Sequence, residues 1–205
     1  QVPSMESLLR ELEKSKGSKT SITCLCVVEA FLTLYMKRQN ASTWGLKTPR
    51  NEFWAGEILS KWRDAKIIHV IRDPRDVMAS LINYENIDFK VSCDPIRHRT
   101  AEVIKGKPIS WRDEWCRSTL RGLRYSRRYP NRYIISQFED ILRSPKKEVK
   151  SMCDFLGIHY QRKMLKMDSQ PGWSGSNSSY EQDMKKVHTD PINQYKDRID
   201  ETLIF

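Results

Sequence analysis

KIIHVIRDPRD, at residues 66–76, decides the fold of this 205-residue chain. The apolar, β-branched run inside it has the length and composition of a buried strand. A helix is predicted directly afterwards, because Asp73 is a favourable N-cap, Pro74 suits the first helical position and Asp76 complements the helix dipole. Arg72 is therefore expected at the carboxyl end of a strand, beside free backbone N–H groups at a helix start. Phosphate-bearing ligands bind at this position in open α/β sheets.

Ser80 follows Arg72 by eight residues and lies on the helix face that begins at Asp73. A guanidinium and a hydroxyl placed in this way can bind one phosphate group together. The block resembles the segment of PAPS-dependent sulfotransferases (PAPS is 3′-phosphoadenosine 5′-phosphosulfate) that binds the donor's 3′-phosphate. The resemblance implies that Arg72 and Ser80 bind that phosphate. The alternative is a well-capped helix with a solvated ion cluster, since capped strand-to-helix turns are common.

A second block, WGLKTPR at residues 44–50, predicts a short strand near residues 43–47 and then a turn into an amphipathic helix. Its Lys-Thr-Pro resembles the corresponding block of bacterial, glycan and tyrosyl-protein sulfotransferases. The resemblance implies that Lys47 contacts the phosphosulfate and stabilises charge on the bridging oxygen as the sulfuryl group leaves. The alternative is an ordinary surface lysine.

A third block begins with a β-branched and aromatic strand near residues 132–137. A helix should follow, with Ser144 as its N-cap and Gly157 at its end. The aromatic-Glu-Asp-Leu turn between them is similar to the sulfotransferase pattern. Phe138 stands where many members carry a tyrosine that approaches the adenine, so the resemblance implies that Phe138 contacts the donor without a phenol hydrogen bond.

Residues 187–196 are similar to a late segment of the family, in which small polar residues precede Gly-x-Trp-Lys/Arg and close over the 3′-phosphate. Asn193 replaces the glycine and Tyr195 replaces the tryptophan. Thr189 is therefore the one residue of this segment that we assign to donor binding.

The family's loop for the 5′-phosphosulfate has no clear counterpart. The nearest string is SKGSKTS at residues 15–21, which follows a predicted amphipathic helix rather than a strand and reads as a helix-to-helix connection. We expect either an N-terminally incomplete sequence or a protein that has lost this element. The proton acceptor is not assigned, since Pro49 stands where cytosolic members carry a histidine.

The composition is basic, with 36 Lys and Arg against 26 Asp and Glu, a net charge of +10 and a pI near 9.4. Such an excess of positive charge favours binding to a nucleotide, an anionic acceptor, nucleic acid or an acidic membrane surface. Part of the positive charge lies on a helix predicted to start at Ser110, with Trp111, Trp115, Leu120 and Leu123 facing inward. Its arginines recur at helical spacing on another face, which we interpret as a solvated face, with a dedicated anion-binding track as the alternative. No nucleic-acid motif accompanies the charge, so no nucleic-acid partner is expected.

Five cysteines without CxxC spacing favour free thiols, with Cys24 and Cys153 on stripes predicted to be buried. No metal-ligand cluster is present in the sequence. Residues 22–36 are apolar but too short for a membrane span and include Glu29, so they predict a buried helix. Unpaired cysteines favour the cytoplasm, with the Golgi lumen as the alternative if an N-terminal anchor has been removed.

These observations predict one α/β domain over residues 1–205, with helices on both faces of a mainly parallel sheet in three layers. The resemblance implies a P-loop NTPase-like sulfotransferase fold. It also implies an enzyme that moves a sulfuryl group from PAPS to a hydroxyl or amine of a small-molecule, glycan or protein acceptor, leaving adenosine 3′,5′-bisphosphate. The alternative is a non-catalytic domain of the same fold that binds a nucleotide or an anionic glycan.

Overall fold

The computed structural model describes residues 4–16, 24–85, 108–166 and 189–197. The chain separates into two compact units, Gln1–Asn51 and Glu52–Phe205. The first unit contains helices α1 (Met5–Lys16) and α2 (Cys24–Arg38). The described part of the second contains α3 (Ala55–Lys61), β1 (Ile67–Ile71), α4 (Pro74–Glu85), α5 (Pro108–Arg128), β2 (Tyr133–Gln137), α6 (Phe138–Arg143) and α7 (Pro145–Leu156). Short 3-10 helices occur at Asn51–Trp54, Arg162–Leu165 and Gln194–Asp197. The fold is therefore α/β, as the sequence predicts.

In the first unit, α1 and α2 pack against each other, and Leu12, Ala30 and Leu32 are buried. Lys37 donates a 3.0 Å hydrogen bond to Glu11, which holds the pKa of that carboxyl below its ordinary value. The predicted helix is present in α2, but the prediction that Cys24 is buried is wrong, because Cys24 lies exposed at its first turn. Within the described parts of the chain, no helix is long and apolar enough to cross a membrane.

The strand predicted near residues 43–47 is not formed. Residues 43–48 have no regular secondary structure, and Leu46 is about half exposed. A strand needs a hydrogen-bonded neighbour, and the described sheet contains β1 and β2 alone. The stretch ends in a turn where Thr48 hydrogen-bonds to the side chain of Asn51.

The described sheet pairs β1 and β2 in parallel, with His69 opposite Ile135 and Ile71 opposite Gln137. The carboxyl ends of both strands therefore meet at one edge. Each strand runs directly into a helix there, β1 into α4 and β2 into α6. This edge positions the residues of the candidate site.

The core of the second unit forms where α3 and β2 meet. Ala55, Leu59 and Tyr133 are buried, and Tyr125 stacks on Tyr133 with 5.8 Å between ring centroids. Arg132 lies beside this cluster and donates to the Leu59 and Trp62 carbonyls at 2.8 and 2.6 Å. These bonds join the end of α3 to the start of β2.

The ends of α7 follow the sequence prediction. Ser144 occupies the N-cap position, although its side chain makes no capping bond, and Cys153 is buried. Gly157 ends the helix at φ 77°, a left-handed conformation that glycine adopts without strain.

The prediction that Leu120 and Leu123 of α5 face inward is wrong, because they are 65% and 40% exposed. The buried face of α5 instead carries Gly122, whose absent side chain lets the helix approach His69 closely.

Candidate functional site

Arg72 is the centre of the candidate site at the shared carboxyl edge of β1 and β2. Its Nη2 donates to the Pro191 carbonyl at 2.7 Å, and its guanidinium carbon lies 5.0 Å from the centroid of the Phe138 ring. The Trp115 indole N–H donates to the Arg72 carbonyl at 3.0 Å, which fixes the backbone. The Arg72 Nε is buried and has no hydrogen-bond partner among the described residues. A buried donor without a partner costs about 1–3 kcal/mol, a cost that a hydrogen bond from this N–H to an anionic ligand would offset.

The start of α4 is capped as predicted. Asp73 accepts from the Arg75 backbone N–H at 2.8 Å and pairs with the Arg75 guanidinium at 2.7 Å. These hydrogen bonds hold the pKa of Asp73 below its ordinary value. The Asp73 N–H is also engaged, because it donates to Glu139 on α6 at 2.8 Å. The expectation of free N–H groups here is therefore wrong for Asp73 and Arg75, and the donor without a partner among the described residues of this edge is Arg72 Nε.

Asp76 connects α4 to residues 189–197. Its side chain is almost fully buried, at 1% exposure, and accepts from the Asn193 N–H at 2.8 Å and the Tyr195 N–H at 3.1 Å. Tyr195 packs against Ala79 of α4, and the Arg75 guanidinium lies 4.2 Å from the Tyr195 ring centroid. These contacts bring residues 189–197 to the edge where Arg72 lies.

Asn193 and Tyr195, the two residues that differ from the Gly-x-Trp pattern of the family, both suit the observed structure. Asn193 stands in place of glycine and has φ 63°, in the left-handed region that asparagine tolerates better than most residues. Tyr195 stands in place of tryptophan and is a buried aromatic side chain, at 8% exposure. Both replacements therefore suit the backbone and packing that the segment adopts.

The predicted site residues fall in both units. Phe138 lies against Arg72, and Thr189 is exposed at the start of the segment that contains Pro191. Ser80 is half-buried on α4, two turns beyond its start. Lys47 belongs to the other unit, where it is exposed in the irregular stretch at residues 43–48.

A polar network crosses the second unit from β2 to the 3-10 helix Asn51–Trp54. The Tyr133 hydroxyl lies 2.9 Å from His69 Nδ1, His69 Nε2 lies 3.4 Å from the Ser118 hydroxyl, and Ser118 donates to Glu52 at 2.7 Å. Burial lowers the pKa of His69 and raises that of Tyr133, which keeps both groups neutral at pH 7. His69 is therefore a core histidine with local hydrogen bonds.

Three contacts of the site are not predicted from the sequence. Asp76 accepts hydrogen bonds from residues 189–197, Glu139 accepts one from the Asp73 N–H, and Trp115 donates one to the Arg72 carbonyl. The sequence does carry a signal for Glu139, because parallel strands bring their carboxyl ends together and Glu139 follows β2 by two residues. No local signal joins Asp76 to residues more than 100 positions away.

Comparison with known proteins identifies the family to which the chain belongs. The sequence matches the model of the sulfotransferase family over residues 9–162, about three quarters of the chain. The protein therefore belongs to the sulfotransferase family. A solved structure with which it aligns is the sulfotransferase domain from the curacin biosynthetic pathway, at 19% identity and a TM-score of 0.47, covering 97% of this chain and 70% of that one. No curated protein matches the sequence.

Proposed function

We propose that this protein is a sulfotransferase that takes its sulfuryl group from PAPS and transfers it to a hydroxyl or amine. The observation that supports this most strongly is Arg72, whose buried Nε has no hydrogen-bond partner among the described residues and lies at the strand edge where α/β proteins bind phosphates. Membership of the sulfotransferase family indicates the class of reaction. The Arg72 Nε–H, which has no partner among the described residues, favours a donor that carries a phosphate group.

The residues around Arg72 suit the 3′-phosphate of such a donor. The Pro191 carbonyl and the Phe138 ring fix the guanidinium, so little side-chain entropy is lost when an anion binds. The carboxylates of Asp73 and Asp76 are engaged by Arg75 and by backbone N–H groups, which reduces their repulsion of an incoming phosphate. Ser80 and Thr189 complete the proposed set by the family resemblance.

Lys47 is proposed as the catalytic cation. In the reaction, the bond between sulfur and the bridging oxygen breaks as a bond forms from sulfur to the acceptor oxygen or nitrogen, and the acceptor loses a proton. Negative charge builds on the departing bridging oxygen, and a lysine ammonium placed there stabilises the transition state more than the bound donor.

A transfer assay with PAPS and a panel of phenols, sugars and amines tests the proposal. Sulfonated product should form with wild type, and Lys47→Ala should lower turnover more than it weakens the binding of adenosine 3′,5′-bisphosphate, whose 5′-phosphate keeps the oxygen that Lys47 is proposed to contact. Lys150→Ala, at an exposed position on α7, is the matched control and should retain turnover. Nucleotide binding without transfer to any acceptor would favour the non-catalytic alternative, and absence of both would contradict the proposal.

A further inference from the structure

We propose that Asp76 is a positioning residue that holds residues 189–197 in the conformation needed to bind a 3′-phosphate at Arg72. This inference rests on the proposed function and adds to it a residue that is not itself expected to touch the donor. We call residues 189–197 the late segment.

The Asp76 carboxylate is an unusual group to find buried. Carboxylates are rarely removed from water unless they are paired or fully hydrogen-bonded. At 1% exposure, Asp76 meets this requirement through two backbone N–H donors, those of Asn193 and Tyr195. Because both donors belong to the late segment, the carboxylate loses these partners if the segment leaves α4.

The same segment carries the carbonyl that orients Arg72. Pro191 lies two residues before Asn193, and its carbonyl accepts from Arg72 Nη2 at 2.7 Å. Asp76 therefore sets the position of the Pro191 carbonyl, and that carbonyl in turn sets the direction of the guanidinium and of its unpartnered Nε. If the late segment shifted, the Arg72 side chain would lose its hydrogen bond to the Pro191 carbonyl and keep its contact with the Phe138 ring.

The backbone conformation of Asn193 offers a second way to disturb the late segment. Asn193 is exposed and has φ 63°, so a β-branched residue there is strained, whereas glycine is not. Asn193→Val should loosen the turn without touching the buried carboxylate, and Asn193→Gly is its matched control. Asp76→Ala removes both carboxylate oxygens that accept hydrogen bonds. Asp76→Asn keeps one acceptor oxygen, so its effect should lie between those of wild type and Asp76→Ala.

If Asp76 acted only through its negative charge, its substitution would change phosphate affinity in the opposite direction to the one that a positioning role predicts. Removal of a negative charge near an anion site should strengthen the binding of any phosphate compound. If Asp76 positions the segment, Asp76→Asn and Asp76→Ala should instead bind adenosine 3′,5′-bisphosphate more weakly, by roughly 5- to 50-fold. The affinity for adenosine 5′-phosphate, which lacks the 3′-group, should not fall. Asp140→Asn, an exposed carboxylate on α6, controls for the change in net charge.

The experiment combines hydrogen exchange of the Asn193 and Tyr195 amides with calorimetry of both nucleotides. Faster exchange in the Asp76 variants and in Asn193→Val, together with selective loss of adenosine 3′,5′-bisphosphate affinity, would support the inference. Unchanged exchange, or faster exchange with unchanged selectivity, would overturn it. If wild type binds neither nucleotide, the proposed function fails and the inference with it. Asn193→Val keeps the test valid if the Asp76 variants do not fold.

Discussion

Arg132→Ala should destabilise the second unit strongly, because Arg132 caps the end of α3. The last carbonyls of a helix lack intrahelical partners, and Arg132 donates to those of Leu59 and Trp62 at 2.8 and 2.6 Å and to Ala65 at 3.2 Å. Hydrogen bonds from a charged donor contribute about 1.5–3 kcal/mol each. The three are not additive, and water can reach part of the vacated site. We therefore expect a loss of about 2–4 kcal/mol in the free energy of unfolding, measured by urea denaturation.

Arg143→Ala is the matched control for Arg132→Ala. Arg143 makes an exposed ion pair with Asp140 at 3.4 Å, and its removal should cost less than about 0.5 kcal/mol. Arg132→Lys keeps the charge but loses the planar set of donors, so it should lie between the two. If Arg132→Ala costs no more than Arg143→Ala, the capping role is refuted.

Two further predictions concern the network around His69. Because burial lowers the His69 pKa below 6.5, the unfolded chain takes up the proton first, and the free energy of unfolding should fall as the pH decreases through about 6.5. Urea denaturation at pH about 7.5 and 5.5 should show a smaller decrease for His69→Gln, and equal decreases in the two proteins would refute the assignment. Gly122→Ala should destabilise by about 1–3 kcal/mol, since the added methyl group would overlap the His69 ring that Tyr133 holds. Gly45→Ala, at a position with open space, is the control for a urea denaturation series, and stabilisation by Gly122→Ala would contradict the packing.

Local patterns were sufficient for the elements that build the site edge. The strands at 67–71 and 133–137, the Asp73 cap and the Gly157 terminus each depend on a few neighbouring residues, and all four are present. The family resemblance also named Phe138 and Thr189 as parts of one site. The structure places Phe138 against Arg72 and places the segment of Thr189 on α4.

The predictions that failed depended on packing that a sequence does not specify. Residues 43–47 have the composition of a strand but find no neighbouring strand among the described residues. Leu120 and Leu123 fit an inward stripe, yet the close approach of Gly122 to His69 turns a different face of α5 toward the sheet. Asp76 was assigned only to the helix dipole, because its partners lie 117 and 119 positions away.

Calorimetry of adenosine 3′,5′-bisphosphate and adenosine 5′-phosphate with wild type and Arg72→Ala tests the central claim most directly, because it needs no knowledge of the acceptor. A charge-assisted contact to the 3′-phosphate contributes about 1.5–3 kcal/mol, so Arg72→Ala should bind the bisphosphate roughly 10- to 150-fold more weakly. Its affinity for adenosine 5′-phosphate should hardly change. Equal weakening of both nucleotides, or no binding of the bisphosphate by wild type, would contradict the account.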